Sequence, residues 1–191
     1  MRDDALSIIV CGSNAAIGLP AYLMRLGNEL DLGIRVLLTR SAERFVSAQV
    51  VAWHADEVFT SDDPTLNPTE FARRSAAIVV LPATANMLAA AALGLAGTPG
   101  QTALLAAAGP ALFFPQLNAS MWAKAPIRRH VETLRADGHV VVDPEEKQIY
   151  ELWRRTFTTG PAMPAPEPAV EIIIDWLEKA MLDSDNEPVQ E

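Results

Sequence analysis

An open, doubly wound α/β sheet in a single domain is the fold class that this sequence predicts. Three observations carry it. Short apolar runs recur at Leu6 to Cys11, Ile34 to Thr39, Ala76 to Leu81 and Ala111 to Phe114, as buried parallel strands do. Stretches of helical periodicity separate them. The runs end in small polar turns, and turns of that kind at the carboxyl ends of strands form the ligand crevices of α/β sheets.

The elements follow in order. Leu6 to Cys11 (LSIIVC) is the first strand, and Gly12-Ser13-Asn14 turns into a helix through Ile17, Tyr22, Leu23, Leu26 and Leu30. A strand, a Gly/Ser turn and a helix N-terminus can cradle a phosphate or be an ordinary βα turn; without a full GxGxxG the local sequence leaves both open. Ile34 to Thr39 is the second strand, ending in Thr39-Arg40-Ser41, with Ser41 placed to cap a helix through Val46. Arg40 at that strand end either meets a phosphate or is solvated. Asp56 to Thr60 is a short third strand, Ser61 to Pro68 an exposed loop and Thr69 to Ser75 a short helix. The next strand stops at Pro82 and hands the loop Ala83-Thr84-Ala85-Asn86 to an alanine-rich helix, Met87 to Leu93. Gly94 to Gly100 is a break before a helix over Gln101 to Ala108. The strand at Ala111 runs into FFPQLNASMW, Phe113 to Trp122, which repeats the design of strand, proline and asparagine. A polar helix, Pro126 to Asp137, leads to a strand over His139 to Val142. Residues 143–168 hold five prolines and read as a long functional loop. Glu171 to Leu182 is an amphipathic helix, and 183–191 is expected to be a disordered tail.

Composition removes several classes of function. A net charge of -9 argues against a nucleic-acid partner, which requires a Lys/Arg surplus. The longest apolar run, Met87 to Ala96, falls short of the roughly 18 residues of a membrane span. No signal peptide is visible, so a cytoplasmic protein without a membrane partner is expected. Cys11 is the single cysteine, which excludes an internal disulfide. His54, His130 and His139 are not spaced as metal ligands, and no metal site is expected.

The two asparagine loops are more specific together than apart. PATANM resembles the PASANT motif, and PQLNASMW the PxMNxxMW motif, of the homo-oligomeric flavin-containing cysteine decarboxylases. CGSNAAIG is similar to that family's first flavin-phosphate loop and TRSAERF to its second. The match runs from Ser7 to the last helix and looks closest to the peptidyl-cysteine decarboxylase branch, which serves lantibiotic, linaridin and thioviridamide-like peptides. The resemblance implies a flavodoxin-like sheet over 1–182 and a flavin, FMN before FAD. It implies oxidative decarboxylation of the C-terminal cysteine of a ribosomal precursor peptide to an enethiol, for aminovinyl-cysteine formation. The implied partners are that cysteine, further copies of the chain as trimer or dodecamer, and other enzymes of the same biosynthesis.

The resemblance also assigns residues. Asn86, Asn118 and Met121 are the catalytic set. Gly12, Ser13, Asn14, Thr39, Ser41, Pro82, Ala83, Thr84, Ala85 and Asn86 hold the cofactor. Leu117, Asn118, Met121, Thr158, Thr159 and Gly160 contact substrate, the last three within a clamp at 143–168. Amides suit the task because they donate hydrogen bonds to a carboxylate or sulfur without adding charge. Three positions depart from the family pattern. Pro68 stands fourteen positions before Pro82, where the family carries a catalytic histidine. The thiol proton is then lost by another route, or the chemistry is weak and needs partner proteins. Leu117 replaces the methionine of PxMN, a near volume-conserving exchange. Thr98 replaces an Asp or Asn. Two rivals remain: phosphopantothenoylcysteine decarboxylase, which needs a further active-site cysteine, and a non-catalytic flavin-binding subunit, which the missing histidine favours.

Overall fold

The computed structural model describes residues 5–151 and 154–184. One sheet contains β1 (Ala5–Val10), β2 (Gly33–Leu38), β3 (Glu57–Thr60), β4 (Ser75–Ala83), β5 (Ala111–Pro115) and β6 (Val140–Val141), in the order β3-β2-β1-β4-β5-β6. All neighbours are parallel. The chain builds outward from β1 to β3, then crosses back to set β4 on the other side of β1. The order 3-2-1-4-5-6 is that of a doubly wound parallel sheet, and the doubly wound expectation holds. The topological switch point falls between β1 and β4, where such sheets open a crevice.

The helices are α1 (Leu19–Glu29), α2 (Ala48–Val51), α3 (Pro68–Arg73), α4 (Ala85–Ala92), α5 (Pro99–Ala106), α6 (Ala119–Trp122), α7 (Ala125–Ala136) and α8 (Pro166–Ser184). Strand periodicity decides which core each residue joins. Leu6, Ile8 and Val10 of β1 enter one core with Leu19, Tyr22, Leu23 and Leu26 of α1 and Ile173 and Leu177 of α8. Ile9 and Cys11 enter the other, beneath α3, α4, α5 and α7. Each buried Leu or Ile contributes roughly 1.5–3 kcal/mol, against about 0–1 for an exposed ion pair, so the two cores set the fold. Among the described residues, no helix is long and apolar enough to cross a membrane.

Four elements differ from expectation. Strand β4 continues through Pro82 to Ala83, which pairs with Pro115 after a register shift. Ser41 makes no capping hydrogen bond; the chain takes a 3-10 turn at Ala42–Arg44, and Ser47 caps α2 instead. Helix α8 starts at Pro166, since proline suits a first helical turn. The 143–168 segment is not a loop: β7 (Glu145–Glu151) and β8 (Thr156–Ala162) form an antiparallel hairpin. An isolated hairpin is marginal in water, and this one is tied at its base. Met163 N donates to Gln116 Oε1 at 2.9 Å, and Tyr22 Oη donates to Pro164 O at 2.8 Å. The tail at 185–191 lies outside the described residues.

A buried charge anchors the amino edge of the sheet. Arg35 is 3% exposed, with Nε donating to Glu57 at 3.0 Å and one terminal nitrogen to Phe71 O at 3.1 Å. Its guanidinium lies 4.5 Å from the centroid of the Phe71 ring. Burial by itself raises the Glu57 carboxyl, but hydrogen bonds from Arg74 and Arg35 outweigh it and hold the group below its ordinary range. A carboxyl depressed in the folded state stabilises above its unfolded pKa and loses that contribution as pH falls through the folded value. Removing the partner strands a buried cation. Glu57→Ala should therefore lower the unfolding free energy by about 3 kcal/mol, measured by urea denaturation at neutral pH.

Candidate functional site

A cleft of about 630 Å³ crosses the carboxyl ends of β1, β2, β3 and β4. A larger hollow, about 800 Å³, lies at the opposite edge and holds none of the candidate catalytic, cofactor or substrate residues. Cys11 and Gly12 enter the cleft from the end of β1, and Thr39, Arg40 and Ser41 from β2. Ser61 and Asp62 come from β3, Thr84 to Met87 from β4, Gly97 to Pro99 from the start of α5, and Met121 from α6.

The loops after β1 and β2 are locked together. A Cβ on Gly12 would sit 2.4 Å from Ser41 Cβ and 2.7 Å from the Ser41 carbonyl carbon and oxygen. Only glycine fits there, and the reason is the neighbouring backbone. Thr39 Oγ1 donates to Val10 O at 2.9 Å and accepts from Ala42 N at 3.3 Å, pinning the second loop to the end of β1. Ser13 Oγ accepts from Ala15 N at 3.2 Å and caps the 3-10 turn at Asn14–Gly18. The N-termini of α4 and α5 border the cleft through Thr84-Ala85 and Thr98-Pro99. Helix N-termini carry partial positive charge and unpaired N–H groups. A glycine cradle and converging N-termini fit the phosphate and polar ring edge of a flavin.

The asparagines play different local parts. Asn86 is exposed in the first turn of α4, on the cleft. Asn118 is the N-cap of α6: its Oδ1 accepts from Met121 N at 2.8 Å and from Ser120 Oγ at 2.7 Å. The cap commits the acceptor end of the amide and directs the helix toward Met121, which lines the cleft and is 41% exposed. Pro82, Ala83 and Leu117 are buried, so their side chains lie under the cleft rather than in it. Asn14 is exposed beside the first loop. In the hairpin, Thr158 and Gly160 share a face with Ile149 and Lys147, whereas Thr159 pairs with Gln148 on the other, beside Tyr150 and Phe157. Strand β8 packs against α6, which places the hairpin next to Asn118 and Met121.

Titratable groups in the cleft are few. Burial raises the Cys11 thiol to about 11, although hydrogen bonding with Thr84 pulls the other way, so the thiol stays neutral. No histidine lines the cleft. His54 borders the hollow at the far edge. His130 lies on α7. His139 Nδ1 accepts from Ala111 N at 2.9 Å, and burial lowers its pKa. Pro68 opens α3 behind the Asn67 cap, so the histidine-equivalent position serves to start a helix. Thr98 caps α5. The described residues contain no cluster of His, Cys, Asp and Glu able to hold a metal. Sequence reasoning named Thr98 but missed Ser61, Asp62, Gly97 and Pro99; the carboxyl end of a third strand was the available signal for the first two.

A doubly wound sheet with a cleft, a close glycine contact and two helix N-termini at its switch point has the form of a nucleotide- or flavin-binding α/β protein. The Flavoprotein family matches residues 1–178, and the chain belongs to that family. The mersacidin decarboxylase of Bacillus sp. (strain HIL-Y85/54728) is 31% identical over 173 residues, which span 89% of each chain. The solved structure of MrsD from Bacillus sp. HIL-Y85/54728 matches with a TM-score of 0.79 at 30% identity, over 92% of this chain and 98% of that one. SpaF, described as an FMN-dependent cysteine decarboxylase, matches with a TM-score of 0.76 at 26% identity, over 94% and 98%. The family read from PATANM and PQLNASMW is thus the one to which the chain is similar throughout.

Proposed function

We propose that this chain is an FMN-dependent oxidative decarboxylase of the C-terminal cysteine of a ribosomally made peptide. The observation that carries the reading is that the two asparagine loops follow the paired strands β4 and β5 and contribute Asn86 and Met121 to the cleft that Gly12 and Ser41 also line. Similarity to mersacidin decarboxylase over 89% of the chain supports the substrate class. A bound flavin supplies the two-electron oxidation of the cysteine Cα–Cβ–S unit. Gly12, Ser13, Asn14, Thr39, Ser41, Thr84 and Ala85 hold it, with Pro82 and Ala83 supporting their loop from below.

The remaining work belongs to the side chains. With Oδ1 committed to the cap, Asn118 offers its Nδ2 protons to the substrate carboxylate. Holding that group without a counter-charge leaves it able to depart as CO₂ once the sulfur-bearing carbon is oxidised, because the thiocarbonyl takes the electron pair. Asn86 orients cofactor and substrate, Met121 walls the pocket from water, and Thr158, Thr159 and Gly160 of the hairpin lie along the peptide. No imidazole of the same protomer serves as base, so the peptide thiol gives its proton to solvent or to a partner. The exposed leucines Leu93, Leu95 and Leu105 support assembly into a homo-oligomer, and the enzyme acts in the cytoplasm.

The test is direct. Purified protein should be yellow and release FMN. Incubated with a peptide ending in cysteine, it should yield a product lighter by one CO₂ and two hydrogens in mass spectrometry. Bound flavin with an unchanged peptide overturns the enzyme reading.

A further inference from the structure

Among the described residues, Arg40 and Asp62 are the only formally charged ones lining the cleft, and they face one another. Arg40 follows Thr39 and precedes Ser41, so its backbone belongs to the loop that Gly12 touches. One terminal nitrogen of Arg40 donates to Asp62 Oδ1, and Arg40 N donates to Ser61 Oγ at 3.2 Å. Together these bonds tie the loop after β2 to the loop after β3 across the end of the cleft away from β4. The side chains are 75% and 64% exposed, an ion pair too weak to matter for folding. Its position is informative instead. A guanidinium has five N–H donors in a fixed fork, and Asp62 uses one of them, which leaves donors for an anion bound at the adjacent cradle.

We propose that Arg40 reads the terminal phosphate of the flavin, and that the Arg40–Asp62 bridge closes the cleft behind that phosphate. FMN, whose chain ends in a dianion, is then retained. Riboflavin lacks the charge that Arg40 meets, and FAD continues past the phosphate into the bridge. The inference rests on the flavin reading of the cleft.

The flavin-free full chain is titrated with FMN, riboflavin and FAD, with quenching of flavin fluorescence as the readout. The unsubstituted protein prefers FMN to both. Arg40→Gln should weaken FMN about tenfold or more and leave riboflavin within about threefold, the scale of one charge-assisted hydrogen-bonding group. Arg40→Lys should recover part of the loss, as a point charge without the fork. Asp62→Ala should hold FMN within about threefold and narrow the preference over FAD by about tenfold, the same scale. If Arg40→Gln weakens FMN and riboflavin in parallel, or neither, Arg40 does not read the phosphate. An unchanged FMN-to-FAD ratio in Asp62→Ala removes the closing role. An unsubstituted chain that takes up no flavin at all sinks the flavin reading of the cleft itself.

Discussion

Asn118→Asp should abolish turnover while leaving flavin binding and the fold intact. The exchange is nearly isosteric, and aspartate is as good an N-cap as asparagine, so Met121 N keeps its acceptor and α6 keeps its start. What changes is the other end of the amide. The two Nδ2 donors become an anionic oxygen facing the substrate carboxylate. At about 4 Å and an effective dielectric of about 20, two like charges repel by roughly 4 kcal/mol. If that penalty falls on productive binding, kcat/KM drops by about a thousandfold. Steady-state turnover of a cysteine-terminated peptide, measured beside the flavin absorbance of the same sample, separates the outcomes. Retained turnover refutes the carboxylate role. Loss of flavin together with turnover reassigns Asn118 to building the cofactor site. Asn118→Ala is the poorer test, because it also removes a cap worth about 1 kcal/mol.

The capping bond that makes this test clean was not legible in the sequence, whereas the central strands were. β1, β2, β4 and β5 are covered on both faces, so their residues are mostly apolar, with Ser7 and Arg35 as buried exceptions, and stand out against any background. Pro82 misled because proline usually ends a strand. Here the β4–β5 register shifts between Val80 and Ala83, so the ladder passes over the residue that has no N–H to give. Residues 143–168 misled for a different reason. The hairpin sits outside both cores and has one half-buried face, so EEKQIYE shows no hydrophobic alternation to mark it as a strand. Ser41 carries a capping side chain, but the chain turns too tightly there for an α-helix, and the hydroxyl is left at the cleft. The Arg40–Asp62 bridge spans 22 positions, a pairing that only the parallel alignment of β2 with β3 creates.

The cradle itself carries the second large effect. Gly12→Ala should yield a folded, colourless protein. The added methyl carbon would lie 2.4 Å from Ser41 Cβ and 2.7 Å from its carbonyl carbon and oxygen, closer than real Cβ contacts come. Backbone cannot swing aside as a long side chain does, so the loops after β1 and β2 must separate. Overpacking of this kind costs about 1–3 kcal/mol, against a total stability of about 5–15 for a domain. The fold therefore survives, and the distance between the two loops does not. Flavin content should fall below about a tenth of the unsubstituted level, because charge-assisted hydrogen bonds aimed at one phosphate from two loops weaken together when the loops part. Absorbance of the bound cofactor and a thermal melt of the same sample measure both halves of the prediction. Ser41→Gly in the same chain is the informative control. It removes the contact at 2.4 Å but leaves both backbone contacts at 2.7 Å, so colour should stay lost in the double variant. Recovery of flavin there would place the obstruction in the Ser41 side chain, and full flavin in Gly12→Ala alone would show that the cofactor phosphate is held elsewhere.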